Sequence, residues 1–337
     1  MRLCFVTRLG GLAGPASFQR RLAAGLEALG HQTCYDLDDT PCDAVLVIGG
    51  TRRLAALRRA RRRGIPIVQR LDGMNWIHRR RRTGVRHFLR AEANNALLRL
   101  IRDRLATAVV YQSQFARTWW ERAFGPAPVA SHVVLNGVPL DRYTPGGPER
   151  PAPDRIRLLV VEGNLAGGYE AGLDHAVALT EHLSRLWPQP VELALAGQVP
   201  AAVQERLGRQ SGALLRWLGL VPAEEIPALD RSAHLLFSAD PNPACPNSVI
   251  EALACGLPVI AFDTGALPEL VTGDAGRLVP YGADPWRLET PDVAALAGAA
   301  AEVLRDPSRF RAGARARAEA GLGLETMVRG YLEVLGW

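Results

Sequence analysis

The sequence contains no lysine: all 40 basic residues in its 337 positions are arginine. Its five cysteines are scattered and show no Cys-x-x-Cys or Cys/His spacing, so neither a disulfide framework nor a zinc site is indicated. No apolar run approaches the roughly 18 residues that a membrane-spanning helix needs. The first predicted strand begins almost at Met1, so no signal peptide is expected. These absences favour a two-domain α/β protein of the reducing cytoplasm.

The charge is unevenly distributed along the chain. Residues 1–145 carry 24 arginines and 10 acidic residues, a net charge of +14, whereas residues 146–337 carry 16 arginines and 24 acidic residues, a net charge of −8. Arginine runs lie at 58–63 and 79–82. Such a field attracts anionic surfaces, and a peripheral position at the inner face of a membrane is one interpretation. A solvated helix face in a lysine-free protein is the other. Nucleic acid is not expected, because no known binding signature accompanies the charge.

Strand-like and helix-like segments alternate in both halves, which predicts two Rossmann-like, doubly wound parallel sheets. We expect an N-terminal domain at 1–145, a Pro- and Gly-rich linker at 146–153, and a C-terminal domain at 154–337 whose last helix is a candidate to pack back on the first domain. The two domains are expected to face a cleft. The predicted strands are 3–7, 32–35, 44–48, 66–70, 108–111, 132–135, 156–162, 191–196, 214–217, 233–238 and 258–262.

The most informative segment is 235–270, in which two apolar runs flank one helix. The helix is predicted to begin at Asn247-Ser248, with Ser248 as N-cap and Glu251 completing a capping box. Gly256 is the residue expected just past its C-terminus. In a parallel sheet such a helix start lies at the carboxyl edge of the strands, where its N–H groups and dipole favour a phosphate.

Residues 248–271 resemble the donor-site segment of glycosyltransferase family 4, which has the GT-B fold. Other segments follow in that family's order: Leu135–Val138 with Asp141–Pro145, Trp217–Pro222 with Glu224–Pro227, and the Gly10-Gly11 loop. The resemblance covers nearly the whole chain. It implies transfer of a sugar from a nucleotide-sugar donor to the hydroxyl of a lipid-linked or glycan acceptor, with retention of configuration and without metal or other cofactor.

The resemblance also implies site residues. Glu251 would accept hydrogen bonds from the donor ribose, the amides of Ser248 and Val249 would lie near the diphosphate, and the full donor-binding set would be Gly10, Gly11, Gly163, Asn164, Val221, Asn247, Ser248, Val249 and Glu251. The N-terminal domain would hold the acceptor. There Asp72 follows a strand at a position where the family commonly has a histidine, and we assign it as the catalytic candidate. Asn75, Trp76 and His78 would line the acceptor site, although His78 alone is typical of an exposed loop.

Two departures from the family pattern affect the donor site. Pro243 occupies the position of the family's first glutamate, and Asp240, Asn242 or Asn247 are the candidates to replace its carboxylate. The Arg and Lys that usually neutralise the diphosphate are absent from residues 162–170. Gly163, Gly167 and Gly168 could bring backbone amides to the phosphate instead, or the segment is a flexible loop.

These departures keep a second function open, a sugar-nucleotide-binding protein with little turnover. A third, an NAD-type oxidoreductase, is weakly supported. The glycines after the first strand lack the G-x-G-x-x-G spacing, and Asp36 lies too far along the chain to be the acidic residue of a dinucleotide site. Asp36-Leu37-Asp38 imitates a metal-binding D-x-D but is predicted to be a solvated turn.

Overall fold

The computed structural model describes residues 1–11, 14–38, 41–165 and 170–337. Contacts divide these residues into two compact units. The first comprises Met1–Gly137 together with Leu324–Trp337, and the second comprises Val138–Gly323. The division falls before the Pro- and Gly-rich segment, so the expected boundary at residue 145 lies inside the second unit.

The first unit alternates strands with helices. Its strands are β1 (Arg2–Phe5), β2 (Gln32–Cys34), β3 (Ala44–Ile48), β4 (Ile67–Leu71), β5 (Ala108–Tyr111) and β6 (Ala130–Val133). Its helices before residue 137 are α1 (Gly14–Ala28), α2 (Leu54–Arg62), α3 (Val85–Arg104) and α4 (Gln114–Phe124), with a 3-10 turn at Ile77–Arg79. The strands form one parallel sheet in the order β2-β1-β3-β4-β5-β6.

The second unit repeats this plan. Its strands are β7 (Ile156–Asn164), β8 (Val191–Gln198), β9 (Leu214–Gly219), β10 (Leu235–Phe237), β11 (Val259–Phe262) and β12 (Gly276–Val279). Its helices are α5 (Glu170–Leu186), α6 (Ala201–Gln210), α7 (Ile226–Ser232), α8 (Asn247–Ala254), α9 (Leu267–Leu270), α10 (Val293–Arg305) and α11 (Pro307–Glu319), with 3-10 turns at Gly273–Ala275 and Pro285–Arg287. The sheet is parallel, in the order β12-β11-β10-β7-β8-β9.

The central strands are buried on both faces because helices cover both sides of each sheet. In β3 the run Ala44–Val47 is buried completely, and all four residues of β11 are buried. This explains why these strands read as continuous apolar runs rather than as alternating patterns. The prediction of two doubly wound parallel sheets is confirmed, and β12 is a strand that was not predicted.

The last helix, α12 (Leu324–Leu335), belongs to the first unit and packs on α1. The rings of Phe18 and Tyr331 lie 5.4 Å apart. A Cβ at Gly25 would come within 2.5 Å of the Val328 side chain, so only glycine permits this approach of the two helices. The second unit is therefore inserted between two segments of the first.

Candidate functional site

The strand order of the second unit defines where a ligand binds. The sheet begins at β7, extends through β8 to β9, and then returns to β10 on the other side of β7 before continuing outward. Between β7 and β10 the connections leave in opposite directions. In open parallel sheets of this order, ligands bind at that switch point, beyond the carboxyl ends of the strands.

Three acidic side chains meet at this switch point. Glu162 lies near the end of β7, Asp240 follows β10, and Glu251 is buried in α8. Burial, reinforced by the charges of Asp240 and Glu251, raises the pKa of Glu162 to about 8. Burial raises the pKa of Asp240 to about 6. At neutral pH Glu162 is therefore largely protonated and can donate a hydrogen bond.

The start of α8 differs from the capping-box prediction. The N-cap is Pro246, which has no side-chain cap, so Ser248 lies inside the first turn and the Ser248–Glu251 box is wrong. The backbone carbonyl of Pro246 still accepts a hydrogen bond from the Ile250 N–H, at 3.4 Å. The end of the helix agrees with prediction: Gly256 adopts φ +69° just past the C-cap Cys255. The dipole of α8 points its positive end at the switch point.

The loop after β10 is held in place by backbone contacts. The Pro243 carbonyl accepts the Ala266 N–H at 2.8 Å, and a Cβ at Gly265, where φ is +59°, would come within 2.5 Å of Pro243. The Asn242 N–H donates to Asp240 Oδ1 at 3.0 Å. Pro243 therefore serves a structural role here and brings no carboxylate to the site.

Three buried polar groups lie at the ends of β10 and β11: Asn242, which the sequence indicated, and Ser238 and Thr264, which it did not. Asn242 is 5% exposed and its Nδ2 has no partner among the described residues. The buried hydroxyls of Ser238, after β10, and Thr264, after β11, are likewise unpartnered in the part of the chain that is described. Buried polar groups are normally satisfied, so three orphans at one sheet edge mark a place for a polar ligand. The signal was available only as polar residues directly following two apolar strands.

The family's phosphate-binding cations have no counterpart at the end of β7. Within the described ranges neither Glu162 nor Asp240 forms an ion pair. Gly163 is exposed, and a Cβ placed on it would meet nothing within 4 Å, so a ligand can approach its backbone. Asn164 ends the strand, and the other two glycines proposed to help, Gly167 and Gly168, lie outside the described residues.

Other predicted donor residues are more widely spread. Val221 is half-buried in the connection from β9 to α7, and β8 separates β9 from β7. Asn247, Ser248 and Val249 form the first turn of α8. Behind this helix lies Asp230, whose pKa burial raises well above its ordinary value, with the charge of Glu251 adding to the effect.

In the first unit, Asp72 lies directly after β4, at the carboxyl edge of the sheet. Burial raises the pKa of its carboxyl, and the positive charge of Arg70 partly opposes the rise. The Asp72 carbonyl accepts the Trp120 Nε1–H at 2.7 Å. A Cβ at Gly73 would come within 2.5 Å of the Trp119 ring, so the segment after β4 is held against α4.

The predicted acceptor residues follow Asp72 but are not equally available. The Asn75 side chain donates to Asn95 Oδ1 at 3.1 Å, and Asn95 returns a bond to the Asn75 carbonyl at 2.8 Å. Trp76 is half-buried. His78 is 5% exposed and its Nε2 lies 2.7 Å from Glu92 Oε1, so the expectation of an exposed loop histidine is wrong. The reason is α3, which carries Glu92 and Phe88 against the imidazole.

Gly10 and Gly11 follow β1 in an exposed loop at the same edge of the first sheet. Gly11 has φ +85°, and a Cβ placed on either glycine would meet no heavy atom within 4 Å, so the backbone is open to a ligand. The loop is anchored from α1: the Gln19 side chain binds Leu9 N–H at 2.7 Å and the Thr7 carbonyl at 2.8 Å.

The Asp36–Asp38 turn is tied to α2 rather than to a metal. Arg53 contacts Asp36 at 2.6 Å and Asp38 at 3.2 Å, and Arg59 contacts Asp38 at 2.7 Å. Across the described residues no group of three or more His, Cys, Asp or Glu side chains is arranged to hold a metal ion. A search of the described helices finds none with the length and apolar character needed to cross a bilayer.

Comparison with known proteins adds family and fold. Residues 158–306 match the family described as "Glycosyl transferases group 1". A curated relative, the GDP-mannose-dependent alpha-(1-6)-phosphatidylinositol monomannoside mannosyltransferase of Mycolicibacterium smegmatis, is 27% identical over 237 residues, which cover 65% of this chain and 58% of the relative. The chain thus spans less than two thirds of the length of the curated relatives it first matches.

Two solved structures show the same fold over essentially the whole chain. The sucrose-phosphate synthase of Thermosynechococcus elongatus superposes with a TM-score of 0.71 at 15% identity, covering 99% of this chain and 98% of that one. Anabaena Alr3699/HepE, solved in complex with UDP-glucose, superposes with a TM-score of 0.70 at 17% identity, covering 100% and 99%. At this identity the likeness establishes the fold alone.

Proposed function

We propose that this chain transfers a sugar from a nucleotide-diphosphate donor to an acceptor hydroxyl, because residues 158–306 match the group 1 glycosyl transferases and the chain has the GT-B fold. The observation that carries the proposal is the switch point of the second sheet. There the first turn of α8, the buried Glu251 and three orphaned polar groups converge at one edge.

In this proposal the diphosphate lies against the start of α8 and the open backbone at Gly163. The helix dipole and backbone N–H groups favour its negative charge. Protonated Glu162 adds a hydrogen-bond donor where the family has cations. No metal is needed in this arrangement.

We assign the ribose to Glu251. An ionised carboxylate accepts hydrogen bonds from two neighbouring hydroxyls better than any neutral side chain, and such bonds strengthen when they are shielded from water. Glu251 is 8% exposed, and its charge acts on Glu162 at the end of β7. Its negative charge also contributes to the raised pKa values of Glu162 and Asp230.

The transferred sugar is assigned to the loop after β10. Asn242 replaces the missing glutamate with a neutral amide, and Ser238 and Thr264 supply hydroxyls beside it. Of the three candidates from the sequence, Asn242 is favoured because it is buried and its Nδ2 is unpartnered among the described residues, whereas Asp240 already accepts the Asn242 N–H. A sugar hydroxyl would satisfy these groups, which otherwise cost free energy in the folded protein.

The acceptor is assigned to the first unit. Asp72, with its raised pKa, can accept a proton from the acceptor hydroxyl or bind it, and Asn75 and Trp76 follow it on the same segment. Retention of configuration is what the resemblance to family 4 implies, and analysis of the anomeric configuration of the product tests it.

The main alternative is a protein that binds sugar nucleotides with little turnover, and Pro243 is the observation that favours it. The two are separated by Asn242→Ala. If Asn242 binds the sugar of a turning-over enzyme, the variant should lose turnover and affinity for the sugar nucleotide while binding the free nucleoside diphosphate normally. The exposed Asn94→Ala is the matched control.

The first experiment is a thermal-shift screen with UDP, GDP, ADP and NAD. A ligand at 100 times its Kd stabilises a protein by about 2.7 kcal/mol, which is readily measured. Stabilisation by a nucleoside diphosphate is expected, followed by release of that diphosphate from the matching sugar nucleotide. Stabilisation by NAD alone would overturn the proposal in favour of an oxidoreductase.

We further propose that the first unit docks on an anionic membrane at the start of α3. Val85, Phe88 and Leu89 are 77%, 41% and 63% exposed there. Exposed arginines surround them, namely Arg80, Arg82, Arg86 and Arg90. Apolar side chains that can insert, ringed by arginines that meet lipid phosphates, are typical of an interfacial segment. Arg79 contributes less because Glu92 binds it at 2.6 Å.

Liposome sedimentation tests the docking. Replacing Phe88 and Leu89 with Ser, or the four exposed arginines with Gln, should release the protein from anionic liposomes, since each arginine near the surface contributes about 1 kcal/mol. Leu214→Ser, on an exposed leucine of the second unit, is the control. Equal sedimentation with neutral and anionic liposomes at low salt would leave the arginines as a solvated face.

A further inference from the structure

A cavity of about 510 Å³ lies in the second unit, away from the switch point. Its walls include His234, immediately before β10, and Pro258, immediately before β11, so it opens at the amino edge of the sheet. The donor site lies at the carboxyl edge. His234 precedes β10 and Asp240 follows it, so the two residues lie toward opposite ends of the strand. The two sites are therefore distinct.

Three arginines but only one carboxylate line this cavity. Arg231 is neutralised by Glu149, whose Oε2 it contacts at 2.6 and 2.9 Å. Arg150 donates only to the neighbouring carbonyls of Gly147 and Glu149, and Arg311 only to those of Ala233 and Gly256. Neither Arg150 nor Arg311 forms an ion pair anywhere in the described ranges.

The pKa shifts of the wall residues agree with this excess of positive charge. Burial lowers the pKa of Arg311, and the positive charge of Arg150 lowers it further, so the two guanidinium groups oppose each other across the cavity. Burial, then the charges of Arg311 and Arg157, lower the pKa of His234 to about 4. His234 is therefore neutral at pH 7, and its Nδ1 accepts the Arg157 N–H at 3.0 Å. Arg150 and Arg311 leave the cavity with two uncompensated positive charges.

We propose that this cavity binds a phosphate-bearing small molecule at a site separate from the donor site. A phosphate monoester carries between one and two negative charges at neutral pH, which matches the excess charge of the walls. Guanidinium groups suit phosphate oxygens because of their planar, forked donors. The volume lies in the range of small-molecule sites, and Pro258, Val303 and Leu304 offer an apolar wall to the rest of the ligand. Ser308 adds a hydroxyl.

Titration calorimetry of the full chain with inorganic phosphate tests the site. Arg150→Gln should weaken phosphate binding about tenfold or more, because it removes one charge-assisted contact. Arg150 is exposed and bonds only to adjacent carbonyls, so the variant should fold. Arg209→Gln makes the same charge change on an exposed helix residue of the same unit and should bind phosphate as the wild type does.

Arg311→Gln provides a second variant from the other wall, with its melting curve measured first because its guanidinium also supports two carbonyls. A folded Arg311→Gln protein that has lost phosphate binding supports the site. Phosphate binding that is equal in the wild type and in Arg150→Gln overturns it, wherever that binding occurs. Equal weakening by Arg150→Gln and Arg209→Gln also overturns it, since it shows a general charge effect. Phosphate that binds no more tightly than chloride at matched ionic strength would also overturn the site.

Discussion

The two sheets share a plan but bury opposite charges. The first unit buries cations: Arg70 and Arg102 are 2% and 0% exposed. The second buries acids, Glu251 and Asp230 among them, and raises the pKa of Glu162. Arginine cannot lose its proton in a protein, so the fold must surround it with oxygens. A carboxylic acid such as Glu162 can take up a proton instead and remain without an ion pair in the described ranges.

This difference separates a structural network from a binding site. Arg70 Nη2 donates to Gln112 Oε1 and, at 3.0 Å, to Asn136 Oδ1, and its guanidinium lies 4.0 Å from the Phe18 ring. Partners within the first unit therefore hold the Arg70 guanidinium through Nη2, and its Nε has no hydrogen-bond partner among the described residues. In the second unit Ser238, Asn242 and Thr264 retain buried polar atoms without partners in the part of the chain described. Those groups are available to a ligand.

The largest expected effect is on stability and comes from removing the hydrogen bonds of Arg70 in the first unit. Arg70→Met should lower the free energy of unfolding by about 1–3 kcal/mol, because the buried Asn136 and Gln112 amide oxygens lose the Arg70 Nη2 donor and Gln112 Oε1 keeps only the Asn136 Nδ2 contact at 3.4 Å. Urea denaturation followed by circular dichroism measures the change. Arg52→Met, at an exposed position of the same unit, should leave stability nearly unchanged. Equal stability of the two variants would show that the Arg70 contacts contribute nothing.

The next effect concerns the ribose contact in the second unit. Glu251→Gln keeps the shape of the side chain but removes the charge that favours two hydroxyl donors. Charge-assisted hydrogen bonds contribute about 1.5–3 kcal/mol, so nucleotide affinity should fall roughly ten- to hundredfold. Calorimetric titration with the nucleotide from the thermal-shift screen measures it, with exposed Glu205→Gln as control. Unchanged affinity together with a lower melting temperature would leave Glu251 only a structural role.

A smaller effect is expected in the pH dependence of nucleotide affinity. The pKa of Glu162 is raised in the folded protein to about 8, so its unpaired carboxyl opposes folding increasingly as pH rises from its unfolded pKa toward 8. Once ionised, Glu162 also repels a diphosphate. Affinity for a nucleoside diphosphate should therefore fall about tenfold between pH 7 and pH 9, as the protonated fraction falls. In Glu162→Gln this fall should be absent, and an identical fall in both proteins would assign it to another group.

No effect is expected from chelation. A diphosphate held by the start of α8 and by backbone amides needs no divalent ion, so turnover should survive EDTA. The sugar-transfer assay with and without chelator measures this, with protein that has been dialysed against EDTA as a further arm. Activity that disappears and returns with manganese or magnesium would contradict a metal-independent site.

The alternation of strands and helices was predictable because parallel strands covered on both faces leave long apolar runs in the sequence. β12 was not predicted. Its four residues, Gly276–Val279, include Arg277 and lie at the edge of the sheet, where burial is incomplete.

The site was predictable where it depends on one helix and less so where it depends on loops. The end of α8 at Gly256 follows from local chemistry, whereas its beginning does not, because Pro246 takes the position that suits Ser248 by propensity. The burial of His78 depends on Glu92 and Phe88, which lie in another helix. Ser238 and Thr264 meet only because β10 and β11 are neighbours in the sheet. Such contacts are set by the tertiary fold.

The position of α12 bears on how the protein is made. A ribosome completes residues 138–323, the whole second unit, before it synthesises the helix that closes the hydrophobic face of α1. Domains commonly fold in the order in which they emerge. Here the unit translated first is completed last, because the face of α1 that carries Phe18 gains Val328 and Tyr331 only when α12 has been made.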